Sequence, residues 1–194
     1  MIVKDKHKHI TMKTTKIFTI LTLLMGLVFS SCTTLKVTKD PNQPDSSVLA
    51  ISARSKGVGM DGFGIIIRVE NVETHQQYDS KTLSGFSKDA IIPNLPAGTY
   101  NVVRVEVPVG GVEFKNWSPA IKEFFGTIVI EPNKKYYLGS YRGEFSGSLS
   151  DRAFELVFDS HEISNDLISV VSKAGWNDGD WGLINPVRKQ IRIN

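Results

Sequence analysis

Residues Asp89–Val107 read DAIIPNLPAGTYNVVRVEV, and this stretch decides the fold class. Asp89–Ile92 is a short apolar strand. Pro93 and Pro96 carry no amide donor and so end ladder pairing, while Gly98 permits a backbone reversal. Thr99–Val107 then alternates β-formers, placing Tyr100, Val102 and residues of the same parity on one side of a sheet. Two β-rich runs joined by a proline- and glycine-bearing turn point to packed antiparallel sheets.

The same residues, a leucine before Pro-x-Gly and then Tyr with Val-x-Val, resemble the "GLPPGTYTV" signature of transthyretin-like and carboxypeptidase regulatory-like β-sandwiches. That resemblance implies an architecture and no activity. Working outward, short β-rich segments alternate with Gly, Pro and Asn breaks, the pattern of a sandwich. Val48–Arg54 is a strand. Phe63–Val72 is another, and its unbroken Ile65, Ile66 and Ile67 suggest burial on both faces near a sheet centre. Asn71–Asp79 turns and returns as a polar strand. Val112–Trp117 and Ile121–Ile130 continue the β pattern, as do Lys135–Phe145 and Arg152–Phe158. The hairpin IEPNKKYYLG (residues 130–139) is similar to the "V-x-P-G-K-x-Y-Y-L-G" hairpin of many periplasmic lipoproteins. Ser164 is placed to cap one helix with Leu167, Ile168, Val170 and Val171 at helical spacing, stopped by Gly175, covering an edge or open end of the sandwich. The expected fold is mostly β, an antiparallel β-sandwich of transthyretin-like or Ig-like type with one short C-terminal helix. A turn-rich WNDGDWG and a basic end follow it, from Trp176 to Asn194.

Upstream of the domain lies KTTKIFTILTLLMGLVFSSC, Lys13–Cys32. Lys13 and Lys16, the uncharged apolar run Ile17–Phe29 and the small pair Ser30–Ser31 satisfy the three requirements of an export signal. The run is short of the roughly 20 residues that span a bilayer as a helix. Cys32, the only cysteine, follows at once. This order resembles the lipobox of bacterial lipoproteins, in particular the Bacteroidetes type, which tolerates Phe29 and Ser31 where leucine and a smaller residue are commoner. The resemblance implies a diacylglycerol on the Cys32 sulfur and cleavage before it. Either Met1 or Met12 serves as the start; in both cases His7 and His9 are lost on processing. Residues 1–31 are thus read as signal, 32–46 as a lipid-anchored tether containing Pro41 and Pro44, and 47–194 as the domain. Thr33 after the cysteine implies, by the same resemblance, the outer membrane, periplasmic face by default, with the cell surface as an alternative.

Charge must be recounted after processing. The chain has 23 Lys+Arg and 20 Asp+Glu, net +3, but residues 1–31 hold five lysines and one aspartate, leaving 18 against 19 and a net charge of −1. Nothing then favours nucleic acid electrostatically. With Cys32 acylated, no thiol remains for a disulfide, a metal or a nucleophile.

Four constellations carry residue types used in catalysis or binding. Gly57–Gly62 (GVGMDG) matches G-x-G-x-x-G, but the following FGIII is a strand where a dinucleotide site needs a helix, so a hairpin loop is expected. Asp159, Ser160 and His161 are chain neighbours, which is not how a triad converges. Asn177–Asp180 (NDGD) lacks the spacing and distal glutamate of an EF-hand loop and reads as a turn. Trp117, Trp176 and Trp181 are the candidate ligand-binding residues, as exposed indoles stack on sugars or anchor partners; packing of a helix or tail onto the sandwich is the competing reading. No cofactor and no metal ligand set is expected.

The leading functional expectation is a non-enzymatic, membrane-anchored binding or accessory module for an envelope protein or glycan. The alternatives are a carboxylate-based hydrolase of envelope polymers and a structural subunit of an envelope complex.

Overall fold

The computed structural model describes residues 37–56, 62, 64–84, 87–106, 118–148, 151–177 and 179–193. The signal, Cys32, the strand expected over Val112–Trp117, Asp178 and most of Gly57–Phe63 lie outside the described residues.

Among the described residues two sheets are packed together as a sandwich with two short helices. The larger sheet contains β1 (Ser47–Lys56), β4 (Lys81–Thr82), β5 (Asp89–Leu95), β8 (Lys135–Ser148), β9 (Asp151–Ser160), β10 (Trp181–Leu183) and β11 (Gln190–Ile193), ordered β11-β9-β8-β1-β5-β4 with β10 on β8. The smaller runs β3-β2-β6-β7, from β2 (Ile66–Asn71), β3 (Gln77–Asp79), β6 (Gly98–Glu106) and β7 (Thr127–Ile130). The smaller sheet is antiparallel throughout. The larger is mixed, since β1 and β10 both run parallel to β8. The expected antiparallel pairing therefore holds for most neighbours and fails at those two.

The stretch that decides the fold is a crossing between sheets. β5 belongs to the larger sheet and β6 to the smaller, and Pro96–Ala97 carries the chain from one to the other. Gly98 is required there by close approach: a Cβ on it would stand 2.7 Å from Asn71 Nδ2. Tyr100 donates its hydroxyl to the Pro96 carbonyl at 2.8 Å and is fully buried, bracing the turn from inside. Tyr100 and Val102 face the core as expected, but a bulge between the Val69–Val102 and Arg68–Arg104 pairs shifts the parity, so Val105 is the next inward residue.

Burial on both faces falls on β1, where all of Ser47–Ala53 is buried, and on the first half of β5. Ile65 and Ile67 are core, yet Ile66 is only partly buried, because the smaller sheet has one covered face. Leu49, Ile51, Ala53, Ile92, Val102 and Leu138 belong to the core between the sheets. Val48, Ala50, Ile91 and Tyr137 point the other way, into a second core beneath a helix.

That helix, α2 (Asn165–Lys173), follows α1 (Ser118–Phe125) in the chain. Ser164 caps α2 as expected, its Oγ accepting from Leu167 N–H at 3.1 Å. Leu167 and Val171 are buried against the outer face of the larger sheet, so α2 roofs a face and does not plug an edge or end. α1 corrects the strand expected over Ile121–Ile130 and makes the helices two. Pro119 suits a first turn, and Ile121, Phe124 and Phe125 fall at i, i+3 and i+4 on one buried face. Gly126, at φ 72°, ends the helix, and only Thr127–Ile130 is strand.

Candidate functional site

The segment leading into β1 is part of the domain. Val37 is 9% exposed and packs in the second core with Leu167, Val171 and Trp176. Lys39 N–H donates to the Ala174 carbonyl at 2.8 Å, at the end of α2. Asn94, in the left-handed conformation at φ 56°, clamps the segment three times. Its Oδ1 accepts from Asp40 N–H at 2.8 Å and from Ser46 Oγ at 3.2 Å, and its Nδ2 donates to the Thr38 carbonyl at 3.1 Å. Asn133 N–H donates to the Asp45 carbonyl at 2.9 Å on the opposite side. The tether expected over 32–46 is thus docked from Val37 onward.

Trp176 belongs to this packing. It is 3% exposed and its indole N–H donates to the Ser46 carbonyl at 3.2 Å, so no ring face is open to a ligand. Trp181 differs. It is half-buried, meets Tyr137 edge-on at 6.3 Å, and has the Lys135 ammonium 5.9 Å from its ring centroid. It lines a cleft of about 510 Å³ with Glu131, Asn133, Tyr136 and Asp180. Two of the three candidate tryptophans therefore separate into a core residue and a cleft residue, and Trp117 is outside the described residues.

A second cleft, of about 660 Å³, is lined by the docked segment itself. Asp40, Asn42 and Asp45 line it from the docked segment, and Gln76, Tyr78 and Asn94 complete its wall. Many of its polar atoms bond within the wall: Asp40 Oδ1 accepts from both nitrogens of Asn42, at 2.9 and 3.1 Å. Burial raises the Tyr78 hydroxyl above the ordinary tyrosine value. The third cleft, about 310 Å³, is bordered by Arg54, Lys88, Arg142 and Asp159, and Arg142 is already paired with Glu144 at 2.6 Å.

A buried polar cluster beneath the start of α2 was not legible in the sequence. Asp89, 3% exposed, accepts from Ser52 Oγ on one oxygen and from Ser164 Oγ, at 2.6 Å, on the other. Tyr137, fully buried beside it, donates to the Glu162 carbonyl at 3.0 Å, and burial, with Asp89 adding to it, pushes its hydroxyl up to about 12. Ser164 thereby caps α2 and ties it to the sheet at once. The cluster contains no imidazole in hydrogen bond with either serine: His161 is spent on the Ile184 carbonyl at 3.1 Å.

Asp159, Ser160 and His161 do not converge. Asp159 pairs with Arg142 at 3.5 Å, Ser160 Oγ accepts from Glu162 N–H at 3.2 Å, and His161 faces Ile184. The residues after the Gly57–Gly62 motif lead into β2, a strand, which is the context expected of a loop. Of the NDGD residues, Asn177 accepts through its Oδ1 from Ser172 Oγ at 2.8 Å. No group of three His, Cys, Asp or Glu side chains suited to a metal occurs among the described residues, and none of their helices is long and apolar enough to cross a membrane. The large exposed apolar side chains, Val72, Val129, Ile168, Leu183 and Val187, are spread over five different segments.

No family model, curated protein or solved structure matches this chain.

Proposed function

We propose that the protein is a non-enzymatic binding or accessory module of a bacterial envelope, acylated at Cys32 and held at the outer membrane, on the periplasmic face by default, with the Trp181 cleft as its ligand site for a glycan or a second envelope protein. The observation that supports it best is the half-buried Trp181 ring set among the oxygens of Glu131, Asn133 and Asp180 in a cleft of about 510 Å³. An indole face supplies apolar contact to a sugar ring or a partner's side chain, while amide and carboxylate oxygens accept from its hydroxyls or amides. The lipid reading rests on the order of residues in Lys13–Cys32, and the fold family on the GTY turn.

The test is a glycan array and a pull-down from solubilised envelope, run on the wild type and on Trp181→Ala. Retention lost in the variant supports the site; an empty result with the wild type in both formats overturns it. Mass spectrometry of the mature amino terminus tests the anchor, which an unmodified Cys32 or an intact signal would refute. A second reading, hydrolysis, is favoured by one observation: two carboxylates, Glu131 and Asp180, line the same cleft. Glu131 is engaged with Lys134 at 2.7 Å, which favours a binding role for it. Release of reducing ends from envelope polymer that disappears in both Glu131→Gln and Asp180→Asn would replace the binding reading with this one.

A further inference from the structure

A tether of about fourteen residues would let a domain turn freely above a bilayer. Here the chain is captured at Val37. Its side chain is buried with Leu167, Val171 and Trp176, Lys39 is bonded to Ala174, and Asn94 holds Thr38, Asp40 and Ser46. Five peptide steps separate Cys32 from Val37, roughly 17 Å when fully extended. Releasing the segment as far as Ser46 would cost the burial of Val37, the Asn94 clamp and the Trp176–Ser46 bond together.

We infer that the protein is a short-leashed, oriented lipoprotein: the end of the sandwich that carries Asn94, the end of α2 and the turn at Asn133 faces the bilayer. This rests on the acylation of Cys32 proposed above. The cleft beside Tyr78 is lined by the docked segment itself and the one beside Trp181 by Asn133, which bonds that segment, so both lie at this end. Their occupant is then a group presented in or just above the headgroup layer, and not a polymer reached from the far side of the domain. The opposite end is well separated: β8 starts at Lys135, beside the docked segment, and has reached Glu144 about 30 Å away at about 3.3 Å per residue. Charge does not set the orientation, because Lys39, Lys134 and Lys173 at this end are interspersed with Asp40, Asp45 and Glu131.

The experiment uses the full chain, exported and lipidated by its host and reconstituted into vesicles containing a headgroup-labelled acceptor. Acylation blocks the only native thiol, so Lys173→Cys or Glu144→Cys gives a single site for a donor dye, one beside Ala174 and one in the far half of β8. Energy transfer to the membrane is expected to be several-fold more efficient from position 173 than from 144. Inserting about ten Gly/Ser residues after Thr34, outside the packed segment, lengthens the leash without touching a described contact and is expected to bring the two efficiencies together. Equal transfer from both positions without the insertion, or a difference that the insertion leaves unchanged, overturns the inference. Mass spectrometry on the same sample separates the two failures: a missing lipid refutes the anchor, whereas a lipidated protein with equal transfer refutes only the orientation.

Discussion

The two sheets treat their outer faces in opposite ways. The larger sheet buries Val48, Ala50, Ile91 and Tyr137 under α2, Trp176 and Val37. The smaller sheet leaves its outer face to water and lines it with ion pairs, Arg68 with Asp79 at 2.6 Å and Arg104 with Glu106 at 2.8 Å. The sequence carries the same distinction. SVLAIS in β1 is a continuous apolar-and-small run because both sides are covered, whereas IIRVEN in β2 alternates because one side is wet. The lesson is about the amino-terminal segment. A roof built from a helix, a tail tryptophan and Val37 gives a polar, proline-bearing stretch a surface on which to dock, and the open sheet offers it none.

The largest effect expected from breaking this contrast is at Trp176. Trp176→Ala removes the largest side chain of the roof and an indole hydrogen bond, and should cost about 3–5 kcal/mol in denaturant unfolding. Equivalent loss from Arg68→Ala on the open face would erase the distinction. Next comes Asp89→Ala, which leaves the buried Ser52 hydroxyl and the half-buried Ser164 hydroxyl without their acceptor, at about 1–3 kcal/mol, and should loosen α2 before the sheet, read as amide exchange in Leu167–Val171.

Titration separates the faces by direction. Tyr137 is raised to about 12 in the folded protein, mainly by burial, so the roof's contribution is whole below the ordinary tyrosine value near 10 and declines as pH climbs from there toward 12. Tyr137→Phe should flatten that alkaline loss. Asp79 moves the other way, its carboxyl held low chiefly by the hydrogen bond from Arg68, so its contribution is present above the ordinary carboxylate range and fades as pH falls through the lowered value. Smallest of all is the pair itself. Half-exposed and open to salt, Arg68–Asp79 should yield less than about 1 kcal/mol in a double-mutant cycle, and less still at high ionic strength.

Much of the sandwich was legible because Asp89–Val107 couples two β runs through a turn that only certain residues permit. What those residues do not encode is which sheet receives the second strand, so the crossing between β5 and β6 and the parallel pairing of β1 with β8 had to come from the structure. α1 was missed because a short apolar run such as IKEFF satisfies either period; Ser118–Pro119 before it and Gly126 after it were the available signals. At the candidate site, Trp181 was visible as a residue type, but whether an indole is covered is settled by what packs on it, and Trp176 and Trp181 look alike in the chain. The docked segment was hidden for a physical reason as well. A single apolar residue, Val37, has no periodicity, and the rest of the attachment runs through backbone groups to Asn94, Ala174 and Asn133, which leave no mark on composition.

That attachment is best tested by hydrogen exchange on the intact protein, followed at the amides of Lys39 and Asp40, the donors to Ala174 and Asn94. If the segment is built into the domain, both exchange orders of magnitude more slowly than a free peptide, and Asn94→Ala accelerates them while the β1 amides of Leu49–Ile51 stay protected. Exchange at the free-peptide rate in the wild type would mean that the chain is a loose tether up to β1, and would contradict the docked, short-leashed domain.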